Sequence, residues 1–198
     1  MSQQPNPRER YLAIATSAFA ETGYHGVSLA RLAETAGVTK QALLHFFGTK
    51  ERLYTEILTA LAQRLSAKID EIEAPDAETR LVAYFDAHAA GALSQPDDAK
   101  LVIRALLDSD AAARIWPMKP YLEKLVNLAL LTRRWRGADK REVLAGLYQL
   151  IGSIQYFAIS NPTLTGMYGD TASTTLAEHV TRNVHDAVKL FAYGEKID

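Results

Sequence analysis

The sequence predicts an all-α protein: a small N-terminal three-helix head of helix-turn-helix type, followed by a larger C-terminal helical bundle, about nine helices in total. Three observations carry this expectation. Apolar residues recur at three- and four-residue spacing along nearly the whole chain, with no sustained strand-like alternation. Three hydroxyl residues suited to helix capping, Ser28, Thr39 and Thr49, follow one another closely. Gly37 and Gly48 interrupt the short apolar stretches between them. The expected division is a head over residues 1–52 and a body over residues 53–198.

The first helix is expected over residues 7–21, with Tyr11, Ala15, Ala18 and Phe19 inward and Thr22-Gly23 as its stop. Pro7 suits a first turn, where its missing N–H would have no partner anyway. Ser28 caps a second helix, 29–35, ended by Gly37. Thr39 caps a third, 40–46, ended by Gly48. Thr49 caps a fourth, long helix that keeps Leu53, Ile57, Leu61, Leu65, Ile69 and Ile72 on one face until Pro75. Asp76 precedes the fifth helix, with Leu81, Tyr84, Phe85 and His88 on one side. Ser94-Gln-Pro opens the sixth, which ends near Leu107. A break over 108–120 precedes the seventh, 121–135, closed by Gly137. Asp139 with Glu142 three residues on forms a capping-box pattern at the start of the eighth, 140–160. The Pro and Gly of 161–169 mark a loop, and the ninth helix covers 173–193.

Composition narrows the function. The 198 residues are 48% hydrophobic and 23% charged, an ordinary globular mixture. With no Cys there are no disulfides, thiolate zinc sites or thiol nucleophiles. Net charge is −1 overall, yet residues 1–55 carry +2, a weakly basic head on an acidic body. The first ten residues are polar and lack a signal-peptide pattern. Stretches such as 125–131 are too short to span a bilayer, so no membrane association and a cytoplasmic location are expected. No nucleophile elbow, phosphate-binding glycine loop or dinucleotide fingerprint appears, so no enzyme and no cofactor are expected. His179 and His185, beside Glu178 and Asp186, stand six residues apart on different faces of one helix, so no metal site is expected either.

Residues 29–46 are the most informative. A helix-turn-helix holds two short helices at a steep angle across a tight turn. Leu32, Ala36, Val38, Leu43 and Phe46 are expected to face inward, Ala33 is small where the second helix crosses, and Gly37 suits a left-handed turn. The same pattern also fits a plain helical corner. The flanks add Thr22-Gly-Tyr24, Val27-Ser28, Ala36-Gly-Val-Thr-Lys40, His45-Phe-Phe47 and Thr49-Lys-Glu-Arg-Leu53. Over roughly residues 8–60 this closely resembles the N-terminal domain of the tetracycline-repressor (TetR) family.

The resemblance implies three DNA-binding helices and a variable body of about six more. It implies that Lys40 and Gln41 reach base edges in the major groove. Gln41 offers a paired donor and acceptor to adenine, and Lys40 a donor to guanine or phosphate. Thr39, His45 and Lys50 fall at positions that touch phosphate or the groove wall, with Ser28 and Arg31 as further candidates. Each has a plainer reading: caps for Ser28 and Thr39, solvated charges for Arg31 and Lys50, a packed or surface His45. Leu44 stands where the family often has Tyr, and Leu can offer only apolar contact to a thymine methyl.

Beyond residue 60 the resemblance is architectural. It implies a homodimer on a palindromic double-stranded operator, released by a small, mainly apolar effector. Tyr84, Phe85, His88, Trp116, Met118, Tyr121 and Trp135 are the candidates for lining an effector site, although aromatic stripes also build cores. Val143, Leu147, Leu150, Ile151 and Ile154 of the eighth helix are the dimer candidates, with Leu176, Val180, Val184 and Ala187 of the ninth. The competing reading is a helical small-molecule-binding or adaptor protein without regulatory DNA binding.

Overall fold

A computed structural model describes residues 6–108 and 116–194 of the chain. Among the described residues there are nine α-helices, a short 3-10 turn and no strand. They divide into two compact units. One takes the chain up to Ala62 together with Lys100–Met118, and the other takes Gln63–Ala99 and the chain from Lys119 onward.

The first unit contains α1 (Pro7–Gly26), α2 (Leu29–Ala36), α3 (Lys40–Phe47), the first half of α4 (Lys50–Glu71) and most of α6 (Asp97–Leu107). Asn6 caps α1 through its side chain, with Pro7 in the first turn. The helical hydrogen bonding of α1 runs past the expected stop, but Gly23 inside it is non-helical, with φ 71° and ψ 179°. Thr39 and Thr49 cap α3 and α4, their hydroxyls accepting from Ala42 N and Arg52 N at 3.1 Å each. Tyr11, Phe19, Leu32, Leu43, Leu53, Tyr54 and Ile57 are buried in this unit.

One inward expectation is corrected. Phe46 is 41% exposed, and Phe47 is the buried ring. Helical register explains it: Leu43 is buried, and its neighbour one turn on along the same face is residue 47.

The second unit contains α5 (Ala77–Ser94), α7 (Lys119–Leu130), α8 (Lys140–Tyr168) and α9 (Asp170–Tyr193). Here α5 packs on α7, α8 and α9, and α8 packs on α7 and α9. Asp76 caps α5 by accepting from Thr79 N at 2.7 Å.

Helix α7 stops five residues before the expected Trp135. Its end tightens through bonds from Leu131 N to Leu128 O and from Thr132 N to Ala129 O. The buried carboxylate of Glu78 then accepts from Arg133 N at 2.8 Å. A buried carboxylate needs such donors, and this one takes the amide that follows the tightened turn.

Helix α8 runs eight residues beyond the expected end and carries Pro162 inside it. The proline forfeits one helical bond. A hydroxyl chain supports the turn: Thr165 Oγ1 donates to Ser173 Oγ at 2.7 Å, and Ser173 Oγ donates to Asn161 Oδ1 at 2.9 Å. By length and composition α8 is apolar enough to cross a membrane, unlike the sequence expectation. Its stripe of Val143, Leu147, Leu150, Ile151 and Ile154 is buried within this chain, as in a core helix.

Candidate nucleic-acid interface

The turn between α2 and α3 is built on Gly37, at φ 70° and ψ 33°. Its N–H bonds to Glu34 O at 3.0 Å, and Val38 N bonds to Ala33 O at 2.9 Å, which ends α2 in a paired left-handed cap. A Cβ at Gly37 would meet nothing within 4 Å, so glycine is favoured there for its backbone conformation and not for space. Arg10 reaches from α1 to donate to Ala36 O at 2.8 Å. Arg8 pairs with Glu56 of α4 at 2.7 Å, its guanidinium 5.4 Å from the Phe47 ring centre. Two of the head's six basic residues therefore brace the motif, a role that helical spacing alone did not signal.

This bracing sets out a polar surface. Thr39, Lys40, Gln41 and His45 on and before α3 are exposed, as are Ser28 and Arg31 at the start of α2. Among the described residues the side chains of Arg31, Lys40 and Gln41 make no hydrogen bond or ion pair, so their donors and acceptors are available. Ser28 occupies the N-cap of α2, but its hydroxyl makes no capping bond. Leu44 is half-buried. Exposed Phe46 lies between His45 and Tyr11, edge-on to the Tyr11 ring at 5.4 Å.

Lys50 is different. It is half-buried at the start of α4, with its ammonium 4.8 Å from the centre of the Tyr24 ring. Burial lowers its pKa, and the carboxylate of Asp108 works in the opposite direction. Tyr24 and Tyr54 join Phe19 in an aromatic cluster beneath it. Tyr54 was missed in the sequence because it falls beside Leu53, off the periodic apolar face of α4.

The effector candidates divide. Tyr84, Phe85, His88 and Tyr121 are buried together in the second unit. Tyr84 Oη donates to Tyr121 Oη at 2.8 Å, and burial first, then the other hydroxyl, pushes the Tyr84 pKa up. The His88 ring stacks on Tyr84 at 5.8 Å. Its Nε2 is buried without a hydrogen-bond partner among the described residues. Burial above all, with the Lys68 ammonium, brings its pKa down to about 4, so the ring is neutral at pH 7. Met118 is buried in the other unit. Trp135 is already committed: its indole N–H donates to Phe191 O at 2.7 Å. The Trp116 side chain lies outside the described part of the structure. A shallow groove between α5 and α9, lined by Asp86, Glu178, Thr181, Arg182 and His185 among others, contains none of these candidates. There His185 Nδ1 faces the Asp86 carboxylate at 2.9 Å.

The dimer candidates also divide. Val143, Leu147, Leu150, Ile151, Ile154 and Val184 are buried within one chain and leave little surface for a partner. They pack α8 and α9 into their own bundle, which is why their periodicity is strong. Leu176, Val180 and Ala187 are at least partly exposed, in a seven-residue rhythm with exposed Leu190. On α8 the outward face instead carries Tyr148, Gly152 and Tyr156, with Tyr156 71% exposed.

Residues 12–57 match the profile of bacterial regulatory proteins, tetR family. This segment is thus similar to the tetR-family regulatory proteins. Over 66 residues it is 36% identical to the HTH-type transcriptional repressor AcnR of Corynebacterium efficiens, covering 33% of this chain and 35% of that protein. Over 51 residues it is 41% identical to the HTH-type transcriptional regulator RutR of Escherichia coli, covering 26% and 24%. The chain thus spans about a third or less of these relatives in the matched region. Beyond the tetR-family head, likeness is one of fold. A transcriptional regulator from Rhodococcus superposes with a TM-score of 0.69 at 19% identity, over 98% of this chain and 100% of that one. The regulator FadR of Bacillus subtilis, solved in complex with stearoyl-CoA, gives 0.65 at 16% identity, over 94% and 98%.

Proposed function

We propose that this protein is a cytoplasmic one-component transcriptional repressor, in which a homodimer binds a palindromic operator and a small, mainly apolar effector releases it. The single observation that carries the reading is the exposed head of α3: Lys40 and Gln41 stand unpaired on a braced tetR-family helix-turn-helix. Residues 1–52 read DNA, and residues 53–198 take the effector and the second copy. Repression is favoured by AcnR, a repressor by name.

In this reading Gln41 specifies and the other polar groups position. Gln41 pairs with adenine, Lys40 with guanine or phosphate, and Leu44 with a thymine methyl. Ser28, Arg31, Thr39, His45 and Lys50 meet the backbone. The free hydroxyl of Ser28 supports its part. The effector lies against Tyr84, Phe85, Tyr121 and His88, whose neutral ring nitrogen is the polar handle in an otherwise apolar site. FadR, solved in complex with stearoyl-CoA, supports a body of this fold taking a molecule with a long apolar chain. The dimer face is Tyr148, Gly152 and Tyr156 of α8 with Leu176, Val180 and Ala187 of α9.

The test begins with selection of duplexes from a random pool by the wild-type protein. Gln41→Ala is expected to lose about 1–3 kcal/mol of discrimination at one base pair of each half-site, with other positions unchanged. Uniform weakening across all sequences would remove Gln41 from the base edges. Recovery of no sequence at all would favour the adaptor reading.

A further inference from the structure

Charge in the second unit is unevenly spread. Residues 56–198 carry a net −3, yet the ten residues 133–142, from the turn after α7 into the start of α8, hold five bases against two acids, +3, which leaves −6 for the remainder. Arg133, Arg134, Arg136, Lys140 and Arg141 are all exposed. Arg141 pairs with Asp139 at 3.2 Å. The side chains of the other four make no hydrogen bond or ion pair among the described residues.

Like charges this close repel one another, and the fold holds them together all the same. Trp135 is the anchor: besides its N–H bond to Phe191 O, its ring centre lies 5.0 Å from that of Phe191. The buried Glu78 carboxylate fixes Arg133 through its backbone N–H. The Arg134 guanidinium lies 5.1 Å from the Trp135 ring centre, and its side chain fills the space beside Gly194, where a Cβ would come within 2.9 Å of it. Gly137 turns the chain at φ 80°, Ala138 N bonds to Trp135 O at 3.0 Å, and Asp139 caps α8 by accepting from Arg141 N at 2.7 Å. Backbone atoms, an indole and one arginine stem do the fastening. The charged ends of Arg133, Arg136 and Lys140 take no part in it, so packing does not account for them.

We propose that this arginine-rich turn is a second nucleic-acid contact, at which Arg133, Arg134, Arg136 and Lys140 hold the phosphates of double-stranded DNA without regard to sequence. Guanidinium groups present a planar fork of donors that matches an oxyanion. A duplex supplies oxyanions densely, about one negative charge per 1.7 Å of its axis. Residues 133–141 include no Asn, Gln, Ser or Thr, so none of them offers an amide or hydroxyl to a base edge. Trp135 is half-buried and its N–H is engaged, so its ring is not free to stack on an unpaired base or to enter a lipid interface. The contact adds affinity for DNA of any sequence and leaves base preference to the head, since phosphate contacts position and base contacts specify.

The experiment measures binding of the full chain to a random-sequence duplex across a salt series, with thermal melting as the folding control. The triple variant Arg133→Gln, Arg136→Gln, Lys140→Gln spares Arg134, whose stem is packed. It is expected to make the slope of log affinity against log salt shallower by about two to three units, one per phosphate released. The same loss is expected when Arg31→Gln and Lys40→Gln have already weakened the head. The variant Arg133→Lys, Arg136→Lys keeps the charge and should keep the slope. If it loses as much as the glutamine variant, charge is not the cause and the proposal falls. An unchanged slope in the glutamine variant overturns the proposal. If that variant instead loses only its retention on immobilised polyglutamate, the surface serves an acidic protein partner and the DNA contact is equally overturned. If the wild-type protein selects no operator and the glutamine variant still loses its slope, the operator reading falls and this contact stands. If an operator is selected and the slope does not change, this proposal alone falls.

Discussion

Phe47→Ala is expected to destabilise the first unit by about 3–5 kcal/mol, whereas Phe46→Ala costs less than about 1 kcal/mol. The two phenylalanines are adjacent in sequence, but only Phe47 is buried, at 5% exposure, with the Arg8 guanidinium over its ring. Removing it leaves a cavity beneath α3 and deprives Arg8 of its platform. Phe46 gives up an edge-on contact with Tyr11 and otherwise returns surface to water. Urea unfolding followed by far-ultraviolet circular dichroism measures both. Equal losses would place both rings in the core and contradict the register described above. DNA binding should follow the same order, because α3 can present Lys40 and Gln41 only while its inner face is held.

A second large effect is expected on the outward face of α8. Tyr148→Glu combined with Tyr156→Glu should convert the proposed dimer to a monomer. Both rings are exposed in the single chain, and pressing two pairs of carboxylates into a two-fold interface would bury unpaired charge. Each head would then bind its half-site alone, and the loss of linkage should lower operator affinity by about 10²- to 10⁴-fold. Sedimentation velocity and an operator titration read the two consequences separately. Val143→Ala is the contrast. Val143 is fully buried within one chain, so this change should lower the melting temperature and leave assembly unaltered. A double tyrosine variant that stayed dimeric would exclude this face as the interface.

Most of the architecture was legible because local chemistry fixes it. Gly37, Thr39, Thr49 and Asp76 act at the positions the sequence assigned to them, each through a bond within a few residues. What was not legible depended on partners distant in sequence. The end of α7 is set with help from Glu78, 55 residues away, and the persistence of α8 past Pro162 by Ser173 on the next helix. The same limit applied to the sites. Periodicity finds apolar stripes but does not say whether a stripe faces its own bundle or a second copy, so Val143 and Leu147 stood as dimer candidates and as packing residues alike, and they are buried within one chain. Trp135 looked available for a ligand because the carbonyl of Phe191 that occupies its N–H is 56 residues away. Lys50 was legible as a cation at a helix start, and the Tyr24 ring beside its ammonium was not.

Two copies of this chain are proposed to read one inverted repeat through α3. Sedimentation of the wild-type protein with its selected duplex, across a salt series, tests it most directly. The expected result is two chains per duplex, an inverted repeat whose half-sites lie about one helical turn apart, and affinity that falls steeply as salt rises. A protein that remains a monomer and retains no sequence in low salt would contradict it.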